Sequence, residues 1–217
     1  MLTKSKHHRR LYGLLSLTLL AAFALWTVLL RLADVQPIGP NGSSVGFSTL
    51  NGLFHRLTGV HMTLYVITDW LGLVPVSVCM GFAIFGLIQW IRRRRIWKVD
   101  RSILVLGAFY IAVIAAYLLF EEFAVNYRPV LINGYLEASY PSSTTLLVLC
   151  VMPTAALQLH GRIRSTVLRR AVVAVIVAFT VFMVLGRLVS GVHWLTDIVG
   201  GILLSGGLVA GYVAAAN

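Results

Sequence analysis

An arginine, a histidine and an aspartate fall together in GRLVSGVHWLTD (186–197), a short stretch between two long apolar runs. His193 and Asp197 are four residues apart at the start of the last run, so on a helix they share one face. A carboxylate there can accept the proton of one ring nitrogen, which fixes the tautomer and leaves the other nitrogen with a free lone pair. That is how an imidazole becomes a nucleophile or a base. Arg187 closes the preceding run, and the turn is short enough for its guanidinium to reach the same place. Gly200 and Gly201 continue the His193 face and leave room for neighbouring backbone. A second group lies upstream in EEFAVNYRPVLINGYLEASYPSST (121–144). Arg128 offers a second forked donor suited to phosphate oxygens. Pro141-Ser142-Ser143 opens a helix whose free N–H groups and positive dipole end suit an anion. Singly, each has a plainer reading: Arg187 as a snorkelling cation, Trp194 as an interface aromatic, His193 as a structural histidine. Together, on one face and with matched chemistry, they favour a phosphate site.

The elements that must position these groups are membrane helices. Of the 217 residues 59% are hydrophobic and 12% charged, far from the roughly 45–50% and 25% of a soluble domain. Six runs approach the roughly 20 residues a spanning helix needs: 11–30, 65–91, 103–120, 143–159, 171–187 and 194–216. The N-terminal run follows a basic segment, as in a signal peptide. It is too long for the usual apolar region of one and reads as a retained first span. The net charge of +11 does not call for nucleic acid, because the basic residues sit in short clusters between spans. Lys4, Lys6, Arg9 and Arg10, then Arg92–Arg95, Lys98 and Arg101, then Arg162, Arg164, Arg169 and Arg170 all fall on one side if the helices alternate. The positive-inside rule then puts both termini in the cytoplasm. Arg128, Arg187 and the two loops that carry them fall on the opposite, extracytoplasmic side. Between the first two spans a loop rich in proline and glycine leads into FSTLNGLFHRL, a candidate interfacial helix. Pro75 and Pro153 predict local kinks. The small residues of the last span (Gly200, Gly201, Ser205, Gly206, Gly207, Gly211) predict close packing at the bundle centre. Cys79 and Cys150, both inside apolar runs, read as small buried hydrophobes rather than a disulfide or metal site. The expectation is an all-α integral membrane protein: one domain over 1–217, a six-helix bundle with a cytoplasmic tail at 1–10 and its chemistry within 121–197.

Arg187-x5-His193-x3-Asp197 resembles the third signature motif of the type 2 phosphatidic acid phosphatase superfamily, membrane lipid phosphatases related to vanadium haloperoxidases. Tyr127-Arg128-Pro129 is similar to the end of its first motif and Pro141-Ser142-Ser143 to the start of its second; the resemblance covers about the last hundred residues. It implies that His193 attacks phosphorus to form a phosphohistidine and that Asp197 orients and charge-stabilises it. Arg128, Arg187, Ser142 and Ser143 would hold the phosphoryl oxygens, with no cofactor or metal.

Two positions depart from the family pattern. Its first motif runs Lys-x6-Arg-Pro, and Glu121 stands at the lysine's place. Its second runs Pro-Ser-Gly-His, and Thr144 stands where a histidine protonates the leaving alkoxide. Threonine is no acid near neutral pH. The leaving group could depart unassisted, as phosphate does from a diphosphate. Another acid could serve: Glu121, Glu122, His55 or His61. Or the cycle is broken and the protein binds lipid phosphate without turning it over. The resemblance therefore implies release of phosphate from a lipid phosphate or diphosphate taken from the bilayer. Polyprenyl diphosphate, phosphatidic acid and phosphatidylglycerol phosphate are the candidate substrates. The competing readings are an impaired homologue that binds phospholipid and, behind it, a transporter using the same ionisable groups as a relay. The expected location is a bacterial plasma membrane, with homo-oligomers left open.

Overall fold

The computed structural model describes residues 2–216, so the two ends of the expected 1–217 domain, Met1 and Asn217, lie outside the described residues. Among the described residues, eight α-helices follow in order: α1 Leu2–Leu32, α2 Ser48–Thr58, α3 Met62–Leu71, α4 Leu73–Arg93, α5 Arg101–Glu122, α6 Ser143–His160, α7 Thr166–Val189 and α8 Leu195–Ala216. Six stretches are long and apolar enough to cross a membrane: Lys6–Leu32, Met62–Arg93, Arg101–Glu122, Ser143–His160, Thr166–Val189 and Leu195–Ala216. These are the six expected spans. The fold is an all-α integral membrane bundle.

Three details differ from the expectation. The helix of the first span runs back to Leu2, through the segment read as a tail. The second span is divided at Gly72 into α3 and α4. Its cause is Pro75: a proline ring clashes with the carbonyl four residues back, here Leu71, and removes the hydrogen bond that would continue the helix. Pro153, by contrast, leaves α6 continuous.

Helix α8 packs against α1, α5, α6 and α7 and, with α6, forms the centre of the bundle. The small residues of α8 permit this. Ser16 of α1 donates to the Gly207 carbonyl at 2.8 Å, and a side chain at Gly207 would collide with Leu20. Phe23, Leu106, Phe109, Leu146, Val151 and Leu204 make the apolar core. Cys150 is fully buried in it, while Cys79 packs against its edge; both are free thiols.

The segment FSTLNGLFHRL does form a helix, α2, and it acts as a brace. Asn51, fully buried, donates to Thr196 Oγ1 at 2.9 Å and accepts from the Thr196 N–H at 3.3 Å. It thereby satisfies one of the orphan donors in the first turn of α8. The connections before α2, between α5 and α6, and between α7 and α8 lie at one end of the bundle. The arginine-rich α4–α5 and α6–α7 turns lie at the other.

Candidate active site

The α7–α8 turn is clamped on both sides. Ser190 Oγ donates to the Arg187 carbonyl at 2.8 Å, and the Ser190 carbonyl accepts from the His61 N–H at 2.9 Å. Gly191 has φ +67°, and a Cβ there would stand 1.9 Å from the Gly59 carbonyl oxygen, so only glycine fits. Helix α8 then starts with half of a capping box: Asp197 Oδ2 accepts the Trp194 N–H at 2.9 Å. Trp194 is buried and donates through its indole to the Tyr127 carbonyl at 2.7 Å. It is a structural pin rather than an interface aromatic. A side chain at Gly200 would strike the Tyr140 ring, and one at Gly201 would crowd Thr145. The paired glycines therefore let the segment before α6 lie against α8.

A tight hairpin brings in Arg128. Asn133 and Gly134 have φ of +51° and +85°, and Ile132 and Tyr135 exchange two backbone hydrogen bonds across them. Asn-Gly with both residues at positive φ is the preferred two-residue hairpin turn. Its arms pair through Arg128 N–H to the Glu137 carbonyl at 3.0 Å and Ser139 N–H to the Asn126 carbonyl at 2.9 Å. Alternate residues of a strand share a face, so Asn126 and Arg128 point the same way.

Arg128, Arg187, His193 and Asp197 are all buried and come together. Arg128 Nη1 lies 3.2 Å from His193 Nε2, and His193 Nδ1 lies 3.6 Å from Asp197 Oδ2. The Tyr65 ring of α3 lies beneath both guanidinium groups, 5.7 Å from that of Arg128 and 4.8 Å from that of Arg187. Each arginine also meets a carboxylate: Arg128 Nε is 3.0 Å from Glu137 Oε2, and Arg187 Nη2 is 3.3 Å from Asp69 Oδ1. The side chains of Ser139 and Asn126 approach the Asp197 carboxylate. Burial first, then the Arg128 and Arg187 charges, hold the His193 imidazole well below its ordinary pKa of 6.5, with the Ser139 backbone pulling the other way. The imidazole is therefore neutral at neutral pH. Eight buried side-chain polar atoms among the described residues miss full hydrogen-bond geometry, and six belong to this cluster: Asn126 Nδ2, Ser139 Oγ and Asp197 Oδ1, which approach one another; Arg128 Nε, in its ion pair with Glu137; and Arg187 Nε and His193 Nδ1. Native proteins pair such atoms, so their concentration here marks a polar site.

The first turn of α6 completes it. Ser142 is the N-cap; its hydroxyl accepts from Thr145 Oγ1 at 3.0 Å, and its N–H donates to the Asp197 carbonyl oxygen at 3.1 Å. It is fully buried behind the helix end. Ser143 lines the cavity that holds His193, together with Glu121 and Tyr140. Among the expected substitute acids, Glu121 thus shares the His193 cavity, whereas Glu122 does not line it. His55 lies in a different cavity, on the far side of Trp194, with ring centroids 5.5 Å apart. His61 is turned to the Thr58 carbonyl at 2.9 Å. Thr144 is buried and, with Ser143, Tyr117 and Asp69, lines a neighbouring cavity. The sequence reading missed Tyr65, Asp69, Asn126, Glu137 and Ser139. Asp69 carried a signal, as a lone carboxylate in an apolar run.

Comparison with known proteins bears on the fold and on the C-terminal stretch. No curated protein sequence matches the chain. Among solved structures, the crystal structure of the first transmembrane PAP2 type phosphatidylglycerolphosphate phosphatase from Bacillus subtilis superposes with a TM-score of 0.52. The alignment covers 92% of this chain and 94% of that one at 17% identity, a likeness of fold. The sequence model of the PAP2 superfamily matches residues 118–217, the stretch that carries the hairpin, the start of α6 and the α7–α8 turn. Over that C-terminal stretch the chain is similar to the PAP2 superfamily, and its fold is like that of a PAP2 type phosphatase.

Proposed function

We propose that this membrane protein hydrolyses a phosphate from a lipid phosphate or diphosphate through a phosphohistidine on His193. One observation carries the reading: the His193 nitrogen that faces Arg128 lies 3.2 Å from its guanidinium, at the mouth of a cluster of donors. A guanidinium has donors only, so His193 Nε2 presents its lone pair and Nδ1 carries the proton, on the Asp197 side. Phosphorus would be attacked by Nε2. Arg128 and Arg187 would take the equatorial oxygens, with Ser143 and the first-turn N–H groups of α6 adding donors. Asp197 would stabilise the positive charge that the ring acquires. Ser142 would act through the helix end it caps. Stabilising charge that develops during phosphoryl transfer is the larger part of such catalysis.

The substrate headgroup would enter from the extracytoplasmic leaflet of the plasma membrane, with both termini cytoplasmic and the whole chain working as one membrane domain. A second reading rests on Glu121 and Thr144, which depart from the family pattern: a protein that binds lipid phosphate without turning it over. Phosphate release from phosphatidic acid, phosphatidylglycerol phosphate and polyprenyl diphosphate, in parent and His193→Ala, separates the two. The phosphatase reading expects release from at least one lipid and its loss in His193→Ala. Release that survives His193→Ala defeats the mechanism, and binding without release favours the second reading.

A further inference from the structure

A phosphatase that lacks the histidine of the second motif needs another proton donor if its leaving group is an alkoxide, and the cavity beside Thr144 contains a carboxylate. Asp69, Thr144, Ser143 and Tyr117 line that cavity, which continues between Val76, Ile114 and neighbouring apolar residues. Chain direction orders it. Ser143 and Thr144 start α6 and Tyr117 lies near the end of α5, so the polar lining is at the site end. Val76 and Ile114 lie about a turn or two deeper, where a lipid tail would run. Among the described residues, Asp69 is the only acidic one lining this space. Its side chain is 55% exposed, and its contact with Arg187 is long, at 3.3 Å. Glu121 lines the adjoining His193 cavity and not this one.

Building on the phosphatase reading, we propose that Asp69 donates the proton to the leaving oxygen. In the unliganded protein Asp69 pairs with Arg187. Phosphate oxygens compete for the same guanidinium and release the carboxylate. The freed carboxylate then faces the phosphate and can take up the proton that a phosphate monoanion carries. In the first step the His193 Nε2–P bond forms and the P–O bond to the lipid breaks. The departing oxygen keeps the electron pair and takes the Asp69 proton, leaving an alcohol and a carboxylate. In the second step water attacks phosphorus, the N–P bond breaks with its electrons returning to the ring, and the water proton goes to Asp69. The sum is one water consumed, one alcohol and one phosphate released.

A purely structural Asp69, holding Arg187 in place, would serve all substrates alike. A proton donor serves poor leaving groups most. The test compares Asp69→Asn with parent on dodecyl phosphate and on 4-nitrophenyl phosphate, in detergent micelles. The proposal expects kcat/KM, which reads the steps through departure of the alcohol and not the shared hydrolysis, to fall about 10²–10⁴-fold on the alkyl ester and less than about tenfold on the aryl ester. It also expects Asp69→Asn/Thr144→His to regain at least tenfold on the alkyl ester, since the histidine restores a donor in the same cavity. Equal losses on both esters, or no gain in the double variant, overturns it. A selective alkyl loss in Glu121→Gln instead also overturns it. If the parent releases no phosphate from either ester or from the lipids above, the phosphatase reading fails, and this proposal with it. Normal His193-dependent turnover with equal losses in Asp69→Asn removes this proposal alone.

Discussion

On the phosphatase reading, a neutral imidazole beside two guanidinium groups would attack without first losing a proton. Protonating His193 would bury a third positive charge beside Arg128 and Arg187, which is why burial and those charges hold its pKa well below 6.5. The sign for activity follows. On that reading the free protein would keep its nucleophile until the pH falls through the lowered value, so the acid limb of kcat/KM is expected below pH 6.5. Arg128→Gln removes one repelling charge and moves that limb upward; a limb at or above 6.5 in the parent contradicts this. The same shift affects stability. Below about pH 6.5 the unfolded chain takes a proton that folded His193 refuses, so its contribution is harmless above that value and destabilising as the pH falls. The motif residues were legible because their spacing is local: an i, i+4 pair, and an arginine one short turn away. Tyr65 and Asp69 belong to no such pattern. They reach the site only because α3 crosses α7, a contact that sequence spacing does not encode.

At the scale of elements, the site depends on two turns with positive φ. The α7–α8 turn sets the position of His193 through Gly191, which is pressed against the Gly59 backbone. Gly191→Ala is expected to destabilise the protein by about 1–3 kcal/mol, from overpacking and a strained φ. Gly107, in α5, has nothing within 4 Å of the place a methyl group would take. Gly107→Ala should leave stability unchanged or raise it by up to about 1 kcal/mol. Thermal unfolding in micelles, read beside phosphate release, distinguishes them; equal melting temperatures would show that the turn does not need glycine. The Asn133-Gly134 hairpin could have been read from its dipeptide, yet the link between α5 and α6 lacks the alternating pattern that normally accompanies a hairpin. The break at Gly72 was legible as a kink from Pro75; its location follows from the carbonyl four residues earlier.

Across the whole molecule, the same charge pattern that marks the basic end leaves the site end with few cations, two of them, Arg128 and Arg187, in the buried cluster around His193. Length and hydropathy alone made the six spans readable. The order in which they pack was readable only in part, through the small residues of α8. Sidedness gives a direct expectation. Tyr135 at the hairpin tip and Trp97 in the α4–α5 turn are 73% and 88% exposed. In intact cells, a membrane-impermeant maleimide should label Tyr135→Cys and reach Trp97→Cys only after permeabilisation. The reverse pattern would place the site on the cytoplasmic face.

The most direct measurement is of the covalent step. A ³²P-labelled lipid phosphate mixed with the micellar protein and quenched within one turnover should leave label that is stable in alkali, lost in acid, and mapped by mass spectrometry to His193. Phosphate turnover by a protein that never carries label on residue 193, or that carries it elsewhere, would contradict the account.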